Sequence, residues 1–558
     1  MYQREVHAAS LPVLHPGGMD APRQVVIAGG GPVGLAVALA LARHGIPSVV
    51  LEADDGTCEG SRAICISRRS LEILDALGVA APVLDKGLAW AGGRSYYRNE
   101  EVLHFTMPHE PGQAFAPMVN IQQYYIEQYL LDAIACYPDL VEIRWQNRVT
   151  AAAQDGNGVT LAVAAGDHAY TVRADWLVAA DGGRSAVRDA LGLSLRGMQY
   201  EGRYVIVDIA IDAPREVERL AWFDPPSNPG STILLHQQPD QVWRIDYQVG
   251  EHEDAEQAVK PENVLPRVAS HLKMMGVTAP WEPLWISIYN AKCLTLDSYV
   301  HGRALFAGDA AHLVPIFGVR GLNSGFDDAF NLAWKLALAV RGKASPGLLP
   351  SYSTERVAAA RENMRFGAKS TEFMAPPSPA FALMREAVLG LSAAHAELRS
   401  LINPRQTSPA VFADSPIAAT DDPAFKAGPA PGATLPDMPL VGPHGTPASL
   451  VRCIGKGFTA FCFAGAGQDL DDAVPGLRQL CDSGLELDCH LIAGTAPAAG
   501  RLADPQDAVR RALDAVDGTL YLVRPDGYVS GRWRQARAGD VRNAIALAMQ
   551  IDQEAVSK

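Results

Sequence analysis

The stretch VVIAGGGPVGLAVALALARHGIPSVVLEA begins at Val25 and puts three glycines in a row between two apolar runs. Gly29-Gly30-Gly31 cannot form the interior of a stable helix or strand, so they serve a turn or a close approach of backbone to something else. Around them the chain reads as strand, turn, helix, strand. Val25 to Ala28 is a short run with β-branched residues, suited to a buried strand. Val33 to Arg43 has the Ala/Leu composition of a helix packed on a sheet. Ser48 to Leu51 is a second buried strand, ended by Glu52. Gly29, Gly31 and Gly34 then spell G-x-G-x-x-G. In such a unit one glycine makes the tight turn, one admits a pyrophosphate and one lets helix and strand pack closely. The helix N-terminus offers free N–H groups and a partial positive charge to phosphate. Glu52 stands where a carboxylate accepts hydrogen bonds from an adenosine ribose. The pattern predicts dinucleotide binding; the plainer alternative is a glycine-rich turn in an ordinary α/β fold. A membrane span fails here, because glycines and a proline interrupt the roughly 20 apolar residues it needs.

Charge and cysteine usage narrow the class. The net charge is −14 over 558 residues, with no lysine or arginine block. That predicts no nucleic-acid partner and no anionic membrane surface. The length suggests about three or four domains. Eight cysteines are scattered, at Cys58, Cys65, Cys136, Cys293, Cys453, Cys462, Cys481 and Cys489. None forms C-x-x-C and no Cys/His cluster has zinc spacing, so no metal is expected and the compartment expected is the reducing cytoplasm. The N-terminus lacks the apolar core of a signal peptide. Residues 1–22, with Pro12, Pro16, Gly17 and Gly18, read as a flexible tail.

Helical spacing recurs at Leu71, Leu74 and Leu77, and again at Ile126, Leu130 and Ile134. ADWLVAADGGRSAVRDALG is a buried strand, an Asp-Gly turn and a helix start. From about Gly197 the texture changes to alternating segments, RYVIVDIAID, STILLHQQ and QVWRIDYQV, which predict a half-buried antiparallel sheet. GRALFAGDAAHLVPIFGVRGLNSGFDDAFNLAWKLALAV returns to strand, loop and long helix, and another helix covers about Ser351–Phe373. A Pro/Ala/Gly/Ser-rich stretch from about Asn403 to Met438 reads as a linker. An α/β unit closes the chain.

Three motifs occur in a fixed order: the fingerprint, then Asp181-Gly182 followed by Arg184, Ser185 and Arg188, then Gly308-Asp309-Ala310-Ala311-His312 followed by Pro315. Together they resemble the single-component FAD-dependent aromatic hydroxylases, from about Gln24 to Phe373. The likeness is greatest to members acting on 3-(3-hydroxyphenyl)propionate, resorcinol-type phenols and polyketide aromatics, which carry a thioredoxin-like C-terminal domain. LYLVRPDGYVSGRWRQ is similar to that domain's late strands. The resemblance implies an α/β architecture. A Rossmann-like FAD-binding domain spans 23–196 and is completed with helices over 297–402. A middle β-sheet substrate domain is inserted at 197–296. A linker (403–435) and a thioredoxin-like domain without C-x-x-C (436–558) follow.

The resemblance also implies roles. Gly29, Gly31, Gly34 and Glu52 hold FAD, Asp309 accepts bonds from the ribityl hydroxyls, and Asp181 sits beside the FAD pyrophosphate and the NADPH route. Arg62 and Gln123 match residues that touch FAD. Pro315, Gly321, Leu322 and Asn323 lie at a helix start aimed at the flavin pyrimidine edge, where a helix terminus stabilises the charge of reduction by roughly 0.3–2 kcal/mol. Val319-Arg320 replace the usual Gly-Gln there; Arg320 either adds positive charge, points to solvent or pairs with an acid. Arg62 could instead make a surface salt bridge, Asp309 cap a helix, and Arg184 and Arg188 form structural ion pairs.

The implied cycle takes hydride from NADPH or NADH, forms a flavin C4a-hydroperoxide with O2 and hydroxylates a phenolic ring. A homodimer is expected. Substrate contacts are sought on VWRIDYQ, where Trp243, Ile245 and Tyr247 share one face and Arg244 and Asp246 the other. Either Arg244 holds a carboxylate or phenolate, or Trp243 and Tyr247 stack on the ring. His236 and Tyr289 are further catalytic candidates as proton relays or donors; packing is the plainer role for each. The rivals are a flavin reductase or dehydrogenase that inserts no oxygen, and a flavin-binding scaffold whose C-terminal domain meets a partner.

Overall fold

The apolar run Arg23–Ala28 becomes the central strand of a parallel sheet. The computed structural model describes residues 2–250, 253–315, 317–402, 408–465 and 467–552. Arg23–Ala28 pairs in parallel with Ser48–Leu51 on one side and His168–Ala179 on the other. Val141–Arg144 and Ala304–Phe306 extend the parallel set. The helix Pro32–Arg43 packs between this sheet and the long helix Gly321–Val340, and its residues from Gly34 to Ala42 are all buried. Those two helices and the strands form one apolar core.

The second sheet is eight-stranded, in the order His312–Leu313, Trp281–Thr295, Arg196–Ile211, Val242–Val249, Thr232–Gln238, Arg219–Phe223, Gly92–Tyr97, Glu100–Thr106. Its last two strands come from well before residue 197, so the inserted domain borrows a hairpin from the first segment. Gly93 explains part of this. A side chain there would meet the Arg219 carbonyl carbon's oxygen at 2.5 Å, so only glycine lets the borrowed strand lie alongside. The sheet has two unlike faces. The outer one, with Val205, Val207, Ile245 and Leu235, packs on the helix Pro261–Met274 through Val264, Val268 and Leu272. The inner one faces the first domain.

Residues 436–552 of the closing unit contain a four-stranded mixed sheet in the order Leu487–Ala493, Phe458–Ala464, Leu520–Val523, Val529–Trp533. Its core includes Trp334, Leu338 and Leu348 of the first domain. Beside that apolar contact lies a buried ionic set. Glu355 accepts from Lys335 Nζ at 2.7 Å and from Arg524 Nη1 at 2.5 Å, and Arg524 also binds Asp526 at 2.6 Å. Asn331 and Trp334 donate to Asp526 as well. Arg524 and Asp526 belong to the RPDG turn between two late strands.

Two expectations change. The stretch expected as a flexible tail is laid against the first domain over its described residues. Tyr2 stacks on Tyr124 at 4.6 Å, His7 stacks on Trp145, and Asp20 bonds Arg144 at 2.8 Å. Cys481 and Cys489, too far apart in sequence for C-x-x-C, form a disulfide, while Cys58, Cys65, Cys136, Cys293, Cys453 and Cys462 are free. A helix end followed by a returning strand brings the pair together, which sequence spacing alone does not reveal. The linker's first residues, 403–407, and the last six of the chain lie outside the described residues.

Candidate active site

The fingerprint glycines differ in what surrounds them. Gly29 has φ +100°, and a Cβ there would lie 2.4 Å from the Ala180 carbonyl oxygen. A Cβ on Gly34 would lie 2.0 Å from the Gly29 carbonyl oxygen, so helix and strand touch through it. At Gly31 no protein atom lies within 4 Å of that position. The open space stands at the N-terminus of the helix Pro32–Arg43, where unpaired N–H groups favour an anion. The cradle therefore fits a pyrophosphate. Glu52 accepts hydrogen bonds from Gly30 N–H and from Asp54 N–H at 2.8 Å. Burial raises its pKa against these bonds.

Asp309 follows the strand Ala304–Phe306. Its carboxylate opens onto the groove and makes no hydrogen bond among the described residues, so it is free to bind a ligand hydroxyl. The protein around it displaces water and raises its pKa, with His312 and Arg62 pulling the other way. Arg62, exposed across the groove, thus acts on Asp309 through space. Asp181 is divided: Oδ2 accepts from Val187 N–H at 3.1 Å and caps a short helix, while Oδ1 is buried without a partner. Gln123 bridges Ala63 N–H and Glu127, fixing the loop that carries Arg62. Arg188 donates to the carbonyls of Gly183 and Ala310, tying the second motif to the third. His312 is the third motif's anchor. It bonds Asp328 at 2.6 Å, and Asp328 also accepts from Gly308 N–H and Arg356.

The helix Gly321–Val340 starts beside this loop. Gly321 and Leu322 are half-buried in its first turn, and Pro315 packs on Gly367. Asn323 is committed. It accepts from Ser67 N–H and Ser70 Oγ and donates to the carbonyls of Cys65 and Val319, so its side chain pins the helix start and leaves only its backbone for a cofactor. Arg320 is buried, so it does not point to solvent, and it donates to Asn363 at 2.8 Å. Val319 has φ +52°, a left-handed conformation that a β-branched residue adopts only under strain.

The sheet candidates separate by face. Trp243 and Tyr247 lie on the outer face against the helix Pro261–Met274, so they do not line the space beside the cofactor groove. This corrects their assignment as ring-stacking contacts: the alternation was read rightly, but a distant helix decides which face is covered. Arg244 lies on the inner face but is satisfied. It bonds both oxygens of Asp208 at 2.8 Å, donates to the carbonyls of Ser61 and Arg62, and covers the Trp285 ring. It positions the Arg62 loop and has no free edge for a substrate anion. Tyr289 donates to the Val314 carbonyl at 3.0 Å. His236 is buried on the inner face with Nδ1 3.8 Å from Cys65 Sγ. Burial, then Arg219 and Arg244, lower its pKa to about 3, so it is neutral at pH 7.

Sequence reasoning missed Tyr204, Arg219 and Arg385 and left Asp246 without a role. All four are buried on the inner face, and each has a polar atom without a partner: Tyr204 Oη, Arg219 Nη1, Arg385 Nε and Asp246 Oδ1. Tyr204 belongs to a buried apolar cluster that includes Trp90, Phe105, Met118, Phe223, Phe317 and Met374. The signal available was an arginine at the mouth of an apolar strand, in RLAWF. Among the described residues no cluster of His, Cys, Asp and Glu could hold a metal, and no helix is long and apolar enough to cross a membrane.

Fold and fingerprint turn together define a dinucleotide-binding protein whose second sheet turns a buried, partly polar face toward the cofactor domain. Residues 23–367 match the family described as FAD binding domain, and the chain belongs to it. The 3-(3-hydroxy-phenyl)propionate/3-hydroxycinnamic acid hydroxylase of Mycolicibacterium smegmatis is 30% identical over 67% of this chain and 64% of its own length. The chain thus spans just under two thirds of that relative in this alignment. The hydroxylase of the same name from Mycobacterium sp. strain JLS is 28% identical over 96% of this chain and 93% of its own. Among solved structures, the flavin-dependent monooxygenase PieE in complex with FAD and substrate has TM-score 0.77 and 25% identity, covering 96% of this chain and 100% of PieE. Aklavinone-11 hydroxylase with FAD and aklavinone has TM-score 0.74 and 25% identity, over 95% and 100%. The family is that of the FAD binding domain, and FAD is the cofactor.

Proposed function

We propose that this protein hydroxylates a phenolic aromatic compound, using NADPH or NADH and O2. The observation that carries the reading is the set of four buried residues on the sheet's inner face, each with one polar atom that has no partner, together with a glycine turn and helix N-terminus that fit the FAD pyrophosphate. Gly31 and the helix N-terminus behind it take the pyrophosphate. Glu52 takes the adenosine ribose, and Asp309 and Asp181 Oδ1 take hydroxyl or phosphate-side groups of the cofactor chain. The helix start at Gly321–Leu322 lends partial positive charge to the flavin edge. Bound FAD supplies hydride acceptance and oxygen activation.

The chain's own residues do the rest. Trp90, Phe105, Met118 and Phe317 form a buried apolar cluster that keeps water from this face of the sheet, which strengthens the charge interactions there. His236, held neutral, orients a hydroxyl as a hydrogen-bond partner rather than as a charge. Tyr204 Oη is available to a second polar group of the substrate. A homodimer belongs to the same proposal, supported by the exposed apolar face of the helix Pro379–Ala394, where Leu383 and Met384 are 69% and 53% exposed. The test is NAD(P)H oxidation by the FAD-loaded protein across a panel of phenols, with mass spectrometry of the products. Phenol-stimulated oxidation with one oxygen gained supports the proposal. Cofactor oxidation without oxygen in the product returns the reductase reading.

A further inference from the structure

Three arginines reach the inner face of the second sheet, and their surroundings differ. Arg244 is neutralised by Asp208 at 2.8 Å. Arg385, on the helix Pro379–Ala394, donates to the Met374 carbonyl at 3.2 Å and approaches Thr232 Oγ1. Arg219 is 5% exposed and makes no hydrogen bond or ion pair among the described residues. A guanidinium taken out of water with nothing to receive its protons is costly, and proteins keep such a group where a ligand completes it.

Its neighbours say what the ligand brings. Leu220 pairs with Leu235, so Arg219 stands beside His236 in the next row, and His236 pairs with Arg244. Cys65 comes up to His236 from the first domain, on the strand whose carbonyl Asn323 binds at the start of the flavin-side helix. Arg219 therefore looks into the junction of the sheet with the cofactor domain. Asp246 is the acid nearest to it in charge effect, but the two form no ion pair, and burial raises the Asp246 pKa to about 7. Burial lowers the pKa of Arg219 to about 10, which leaves it charged at neutral pH. One buried positive charge is thus without an ion-pair partner among the described residues. A guanidinium presents a planar fork suited to a carboxylate or phenolate oxygen.

We infer that Arg219 is the counter-ion of an anionic oxygen on the aromatic substrate, held beside His236 on the inner face of the sheet. The inference rests on the hydroxylase reading and deepens it: the substrate class is a phenol that is anionic when bound, through its ring oxygen or through a side-chain carboxylate. Arg219 is then a specificity-determining residue rather than part of the FAD site.

The experiment titrates FAD-loaded wild type, Arg219→Gln and Arg219→Lys with three probes, following the flavin absorbance. The probes are 3-(3-hydroxyphenyl)propionate, 3-ethylphenol and 3-phenylpropionate. Arg219→Gln is expected to weaken two of the three by about ten-fold or more, with Arg219→Lys recovering most of the loss. Loss for the two carboxylates assigns the side-chain carboxylate. Loss for the two phenols assigns the phenolate. Unchanged binding of all three, or an equal loss of all three, overturns the inference. A wild type that binds none of the three and oxidises no NADPH in their presence overturns the phenol reading, and the inference with it.

Discussion

Asp309 and Asp181 carry the same side chain a groove apart and differ in how much of it is already used. Asp181 spends one oxygen on Val187 N–H, while Asp309 keeps both for a ligand. Asp309→Ala should therefore lower FAD affinity ten-fold or more, since a charge-assisted bond is worth about 1.5–3 kcal/mol. Asp181→Ala should lose less cofactor but loosen the turn. FAD content after gel filtration checks both, and equal content in wild type and Asp309→Ala rules the assignment out. Asp246 gives a pH prediction. Its folded pKa is raised to about 7 by burial, above its unfolded value, so its contribution to stability is full below about pH 4 and is lost as pH rises to about 7. Asp246→Asn should match wild type in acid and exceed it above pH 7, by up to roughly 4 kcal/mol. A stability difference that does not grow with pH contradicts this. These residues were unequally legible in the sequence. The glycines, Glu52 and Asp309 sit in short motifs whose chemistry is local. Arg219 and Arg385 do not: what marks them is a missing partner, and that exists only once strands far apart in the chain have paired.

At the scale of elements, the fingerprint turn and the helix start at Gly321 are the two places where backbone does chemical work. Gly29→Ala and Gly34→Ala should fail to fold soundly, because their new methyl groups meet backbone at 2.4 and 2.0 Å. Gly31→Ala should fold with wild-type circular dichroism yet retain little FAD, because its methyl enters only the space left for the cofactor. Poor folding of Gly31→Ala alongside the others would show that the space is structural. Val319 stores strain just before the flavin-side helix. Val319→Gly should raise thermal stability by about 1 kcal/mol, and an unchanged or lower melting temperature would show that its packing outweighs the strain. The helix Gln123–Ile134 was legible from the spacing of Ile126, Leu130 and Ile134, and the helix expected over about Ser351–Phe373 runs from Leu349 to Met374. The borrowed hairpin at Gly92–Thr106 was not, since its partner strand lies more than a hundred residues on. Alternation told that Trp243 and Arg244 face opposite ways, but the helix that covers one face comes later in the chain.

Across the whole molecule, the RPDG turn binds the closing unit to the cofactor domain through charges wholly removed from water. Glu355 is held well below the usual carboxylate range, chiefly by Arg524 and Lys335, although burial opposes it. Its contribution is present above the unfolded value near pH 4.5 and is lost in acid. Glu355→Gln leaves Lys335 with a neutral acceptor and Arg524 with Asp526 alone as its charged partner, and should cost about 3–5 kcal/mol. Differential scanning calorimetry should show the melting temperature falling, with the closing unit becoming the first part cut by protease; an unaltered thermogram would mean that the apolar contact around Trp334 holds the unit alone. Such an interface behaves like a lock with matched wards. A recombinant that takes its two parts from different relatives, joined in the proline-rich stretch, must inherit Asn331, Lys335 and Glu355 with Arg524 and Asp526. A crossover at that outwardly harmless seam would otherwise strand a bare charge in the interior, so the two parts are bound to diverge as a single heritable block.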